Sequence, residues 1–257
     1  MPGFVIPLAG PNAGYPGTVS RNGDEVIVNR PLATTDTVNA NFGDVAFLDQ
    51  NSLGGYWSSV QALAKAVATT TGTWTGTVTS ITVASGTGIV VGQAVVGAGI
   101  AAGTTVTSAV GTTIGLSIAT LGTETATPLS FLSAALASTT GFAGIFARNM
   151  KVDTNYPLTG VTQTGGQYLP GQLADVAERG SVTVQLVVFS VAPVSGGQVF
   201  VRIGLNPAVP AGIVGGIETA ADGAFTLPLP LSIIAFKTGA VDPNGRTEVT
   251  LKTRNNP

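Results

Sequence analysis

The chain has 257 residues, of which 11 are Lys or Arg and 13 are Asp or Glu, so charged residues make up 9% against roughly 25% in ordinary soluble domains. With no histidine and no cysteine, it lacks the usual neutral-pH general base, the thiolate nucleophile, the common zinc ligands and any disulfide. A net charge of −2 gives no basic footprint for nucleic acid or an anionic membrane, and 35 glycines with 15 prolines argue against long helices.

In chain order, Met1 to Pro7 is broken by proline and glycine and has no basic region, so it does not read as a signal peptide. Synthesis and use in a cytoplasm are expected. A helix is expected from Tyr56 or Trp57 to Ala68, with Asn51 or Ser52 as the cap region, because Trp57, Val60, Leu63, Ala64 and Val67 recur at helical spacing. Composition then shifts. Residues 69–140 hold 20 threonines with Glu124 as the sole charge, which marks an inserted module between the flanks 1–68 and 141–257.

Within the insert, short β-branched runs alternate with glycine turns: Val78 to Val83, Gln93 to Val96, Thr104 to Thr107, Val110 to Ile114, Ile114 to Ile118 and Thr127 to Phe131. That pattern suits a small sandwich or barrel of about five strands. The apolar stretch from Ile89 to Gly103 is too short and too rich in glycine for a membrane span, which needs about 20 mainly apolar residues. A short helical turn is expected between Phe131 and Ala137.

The second flank reads as strands. Ser181 to Phe189 places Val182, Val184, Leu186 and Val188 on one face and Thr183 and Gln185 on the other; Gln198 to Ile203 alternates likewise. Thr247 to Lys252 turns Val249 and Leu251 inward, and the preceding Asp242-Pro-Asn-Gly245 is a turn, since proline presets φ and Asn-Gly tolerates positive φ. The expected class is mainly β, a sandwich or barrel of jelly-roll type with one short helix and a small all-β insert.

Chemistry is sparse. A carboxylate pair could still hydrolyse glycosides without histidine, but Asp24, Glu25, Asp36, Asp44, Asp49, Asp153, Asp175, Glu178, Glu218, Asp222 and Asp242 mostly sit beside turn formers or opposite a cation such as Arg179 or Arg246. No calcium loop, phosphate loop or nucleophile elbow is present, so no catalytic residue, cofactor or metal is assigned. Trp57, Trp74, Tyr156 and Tyr168 allow a sugar platform but favour packing. A weakly charged, apolar protein hides surface by assembling.

Several ordered motifs in the flanks carry a resemblance. They are Ala13 to Arg21, Phe42-Gly-Asp-Val-Ala46, Phe142 to Arg148, Tyr168-Leu-Pro-Gly-Gln172, Val176 to Val184, Gly197 to Arg202, Ala235 to Gly239 and Gly245 to Arg254. Together they resemble the structural cement, or head decoration, proteins of tailed bacteriophages. Gly99 to Ser108 in the insert resembles a module of phage structural and tail proteins.

The resemblance implies a non-enzymatic virion protein, made in the host bacterial cytoplasm, that binds the capsid exterior and locks neighbouring major capsid proteins. It implies self-association as a homodimer or homotrimer and no nucleic-acid or membrane partner. A host surface glycan bound through the insert is the alternative. Expected contacts are Phe4, Val5, Ile6 and Tyr15 in the N-terminal arm, Asn206, Pro207, Val209, Pro210, Ile213, Val214 and Ile217 in an apolar loop, and Arg254 in the tail.

Overall fold

Two-residue alternation of β-branched and polar side chains, punctuated by glycine, makes nearly all the regular structure of the described residues strand. A computed structural model describes residues 15–20, 25–49, 55–148, 167–188 and 191–253. Phe189, Asn51 and Ser52, named above, lie outside them. The first flank forms β1 (Val19–Ser20), β2 (Val26–Pro31), β3 (Ala40–Asn41), β4 (Val45–Asp49) and β5 (Tyr56–Ser59), then the helix α1 (Val60–Leu63). Next come β6 (Ala68–Trp74), β7 (Ser80–Val83), β8 (Ala94–Gly97), β9 (Val106–Val110), β10 (Thr113–Leu116) and β11 (Glu124–Leu132). The second flank supplies β12 (Phe142–Phe146), β13 (Gln167–Tyr168), β14 (Leu173–Val188), β15 (Phe200–Arg202), β16 (Ile217–Glu218), β17 (Thr226–Pro228), β18 (Ile234–Phe236) and β19 (Arg246–Leu251). The protein is mainly β, of the sandwich or barrel class.

The expected helix is mostly strand and loop. Tyr56 to Ser59 pairs with β4, Leu48 opposite Trp57 and Ala46 opposite Ser59, and Ala33 N–H donates to the Trp57 carbonyl. Helical spacing was real, but a waiting strand edge outweighs propensity differences of under 1 kcal/mol per residue. Only four residues remain helical, capped by Ser59 Oγ, which accepts from Ala62 N–H at 3.2 Å. The expected turn after Phe131 is a 3₁₀ turn at Ala134–Leu136.

The flanks build an eleven-stranded sheet around β14. Residues 173–179 of that strand pair with β2 while Ile145 and Phe146 of β12 face Ala177 and Val176; residues 180–185 pair with β19, and Leu186 and Val188 with β16. The change of partner centres on Gly180, whose φ of +112° only glycine adopts cheaply. Val182, Val184, Val249, Leu251, Phe236 and Phe142 fill the main core, and Trp57, Phe146, Tyr168 and Val176 a second one.

Strands β6 to β11 form a six-stranded sheet in the order β8-β11-β6-β7-β10-β9. Its two ends meet: Ala94 bridges Thr105, Val95 N–H donates to the Thr104 carbonyl, and Val106 exchanges bonds with Gly92 and Gln93, each at 2.9 Å. The sheet is therefore a closed barrel, filled by Trp74, Ile81, Val95, Ile114, Leu129 and Phe131 among others.

Alternation along β8 joins the barrel to the rest. Val95 points into the barrel, while Ala94 and Val96, with Leu132 of β11, belong to the main core. From the other side Ala224 enters the barrel core, and Gly204 approaches so closely that a Cβ there would lie 2.4 Å from Val96 Cγ1. The two cores share β8 and the end of β11.

Candidate interaction surface

The long segment between β15 and β16 carries half of the expected contact residues, and one side chain organises it. Arg202 is fully buried (0% exposed) and Glu218 nearly so (3%). The Arg202 Nε and Nη2 groups donate to the two carboxylate oxygens of Glu218, and Nη2 also donates to Asp222 Oδ2 at 2.7 Å. Burial alone would lower the Arg202 pKa, but the hydrogen bonds and charges of Glu218 and Asp222 prevail and hold it above its ordinary value. The cation facing Glu218 and Asp222 is thus Arg202, a residue the sequence does not single out as a partner for either acid.

The network reaches outward. Asn206 Nδ2 donates to Asp222 Oδ1 at 2.8 Å and Asn206 Oδ1 accepts from Ala208 N–H at 2.9 Å. Arg202 N–H donates to the Gly216 carbonyl, and Gly215 N–H to the Arg202 carbonyl. Gly212 packs flat on the guanidinium, where a Cβ would lie 2.5 Å from Nε. The loop is wound around a buried ion triad.

On its outside the loop is apolar. Ile213 is 58% and Leu205 68% exposed, Pro207 and Pro210 are exposed, and Val209 is half-buried. Val214 packs against the main core, and Ile217 is 2% exposed, paired with Val201 and Leu186. Those two side chains hold the loop and present no free surface or only part of one. Between this loop and the barrel lies a cleft of about 300 Å³, walled by Leu205, Pro207 and Val214 on one side and by Ala98 and Pro128 on the other, over Phe225. No charged residue lines it.

No protein-family model and no curated protein matches the chain.

Tyr15 occupies a separate place. Its ring is 62% exposed, with the guanidinium carbons of Arg148 and Arg246 each 5.1 Å from the ring centre. The turn beneath is fixed by Gly17 N–H to the Thr183 carbonyl and Arg148 N–H to the Gly17 carbonyl, both 2.8 Å. Phe4, Val5, Ile6 and Arg254 lie outside the described residues, as do Asp24, Asp153 and Tyr156. Tyr168 is buried, donating its hydroxyl to the Ala147 carbonyl at 2.6 Å.

Nearby, Asp44 Oδ2 accepts from Asn41 N–H at 2.9 Å and Asn41 Nδ2 at 3.0 Å. Burial pushes its carboxyl up to about 7, against the lowering pull of both bonds. Leu205, Ala98 and Pro128 escaped sequence reasoning. Leu205 stood beside Gly204 at the loop's entrance, a signal that was available; the other two are surface residues of a different module, and only the fold brings them to the loop.

Proposed function

We propose that the protein is a non-enzymatic virion structural protein that binds the outside of a bacteriophage capsid and cements neighbouring major capsid proteins. The observation that carries this reading is the apolar loop with Leu205, Pro207 and Ile213 outermost, tied by hydrogen bonds to the Arg202 network. A preorganised loop loses little conformational entropy on docking. The motif order in the flanks supports the same reading. An interface of roughly 1,600 Å² at about 25 cal/mol per Å² releases tens of kcal/mol gross, most of it consumed by association entropy and polar desolvation. Repeated over a shell, a modest net gain per copy is enough. Adding purified protein to undecorated shells should raise their resistance to heat or pressure; equal resistance with and without it overturns the reading.

A second reading, adhesion through the barrel, is favoured by one feature. Thr73, Thr82 and Thr113 stand side by side on three adjacent strands, all exposed, with Val110 continuing the row. Excising 69–140 is a poor discriminator, because it also strips Ala94, Val96 and Leu132 from the main core. Thr73→Lys with Thr82→Lys is cleaner: adhesion requires lost adsorption to cells with shell binding retained.

A further inference from the structure

One polar feature of the flanks serves neither the loop nor the barrel. Strands β3 and β13 pair through two residues each, Asn41 opposite Gln167 and Ala40 opposite Tyr168, and a row of side-chain amides runs beside the pairing. Asn39 Nδ2 donates to Gln167 Oε1 at 2.9 Å, Gln167 Nε2 to Asn41 Oδ1 at 2.8 Å, and Asn41 Nδ2 to Asp44 Oδ2 at 3.0 Å. The row ends on a carboxyl that also accepts from Asn41 N–H at 2.9 Å.

A primary amide donates at one atom and accepts at the other, whereas an ionised carboxylate only accepts. Ionised Asp44 therefore draws the NH2 group of Asn41 towards itself. Asn41 then turns its oxygen to Gln167, Gln167 turns its oxygen to Asn39, and Asn39 is left with Oδ1 at the outer end. Charge-assisted hydrogen bonds are roughly twice as strong as neutral ones, and bonds in a chain strengthen one another, so the charge holds the whole row in this direction. A proton on Asp44 removes the charge and supplies a donor, and the row then satisfies every link in either direction. We propose that the β3–β13 row is a proton-operated relay: the charge state of Asp44 sets the direction of the amides of Asn41, Gln167 and Asn39, and with it whether half-buried Asn39 offers an acceptor or a donor at its outer end.

The ionisable residues on the elements packed around this carboxyl are Tyr15, in the turn beside Gly43 with Arg148 and Arg246 at its ring, Tyr168 in β13 and Asp49 at the end of β4. None of them shifts Asp44: burial raises its carboxyl to about 7, and the two bonds from Asn41 pull against that. The relay therefore operates across neutrality, and it is independent of what the protein binds.

Heteronuclear NMR of the side-chain amides tests it on the full chain, titrated from about pH 5 to 9 beside Asp44→Asn and Gln167→Met. A melting curve verifies that each variant folds, and Gln167→Ala replaces Gln167→Met if the thioether is not accommodated. The wild-type amides of Asn41, Gln167 and Asn39 should shift together, with one midpoint near 7 shared with the Asp44 carboxyl carbon. Asp44→Asn should abolish all three shifts. Breaking the middle link at Gln167 should abolish the shift at Asn39 and leave that at Asn41. Hydrogen exchange at Asn39 Nδ2, corrected for its intrinsic pH dependence, should be slower above the midpoint, where the amide is held inward, than below it. An Asn39 amide that does not titrate in the wild type, or that still titrates without Gln167, overturns the relay. Titration of all three amides that survives in Asp44→Asn assigns the proton to another group and overturns it as well. Equal protection of Asn39 on the two sides of the midpoint overturns the change of direction.

Discussion

Arg202 and Glu218 lie on the adjacent antiparallel strands β15 and β16, shielded from water, with two guanidinium nitrogens on the two oxygens of a single carboxylate. A planar fork matched to a carboxylate is a geometry lysine cannot reproduce. The pair sets the path of the whole loop from Gly204 to Gly216.

Removing one partner leaves an uncompensated buried charge. Arg202→Met is expected to lower stability by about 3–5 kcal/mol, and the double variant Arg202→Met with Glu218→Leu to recover a large part of that loss. Urea denaturation of the three proteins measures it. If the single variant is no worse than the double, the ion triad does not stabilise in the way described.

Asp44 predicts a pH dependence of definite sign. Its folded carboxyl titrates at about 7 against an ordinary 3.8, so between these values the folded chain binds more protons than the unfolded one. Its contribution to stability is fully present below pH 4 and declines as pH rises towards and through 7. Asp44→Asn should flatten that part of the stability profile and gain on the wild type above pH 7. Parallel profiles from pH 4 to 8 would contradict the buried titration.

Ala126 is the one non-glycine residue with positive φ among the described residues, at +52°, where β11 bulges between Glu124 and Thr127. The left-handed region costs an alanine roughly 1 kcal/mol, so Ala126→Gly should raise stability by up to about 1 kcal/mol once glycine's larger unfolded-state entropy is subtracted. A lower melting temperature than wild type would show that the bulge is relaxed.

Because β8 serves two cores, the barrel and the eleven-stranded sheet should melt together. Calorimetry is expected to give one cooperative transition, and Gly204→Val, which forces side-chain atoms into Val96, to lower it by an amount corresponding to about 1–3 kcal/mol. Two resolved transitions, with Gly204→Val moving neither, would mean that the shared strand does not couple the cores.

What could be read directly from the chain was whatever depends on near neighbours. Val249 and Leu251 face inward with Thr247 on the same face, and Asp242 Oδ1 accepts from the N–H groups of Asn244 and Arg246, closing the predicted turn at 2.8 and 2.9 Å. Strand-rich patterning of residues 69–140 was equally plain, though closure into a barrel depends on Gln93 and Val106 meeting from opposite ends of the sheet.

Longer-range competition was hidden. Trp57 has the spacing of a helix face and becomes a strand residue because Leu48 is already aligned to receive it. Arg202 sits in an alternating run and looked like an outward residue, but its acceptors are 16 and 20 positions away, and nothing local foretells a buried triad. The cleft was invisible for the same reason, since Ala98 and Leu205 become neighbours only through the packing of Val96 against Gly204.

The seam that joins β8 to β9 removes the open edges that a six-stranded sheet would otherwise expose. Along that seam, residues 92–95 and 104–106 offer neighbouring molecules no unpaired amides to zip onto, so a chain so poor in charge, with little electrostatic repulsion to keep copies apart, is guarded there by topology.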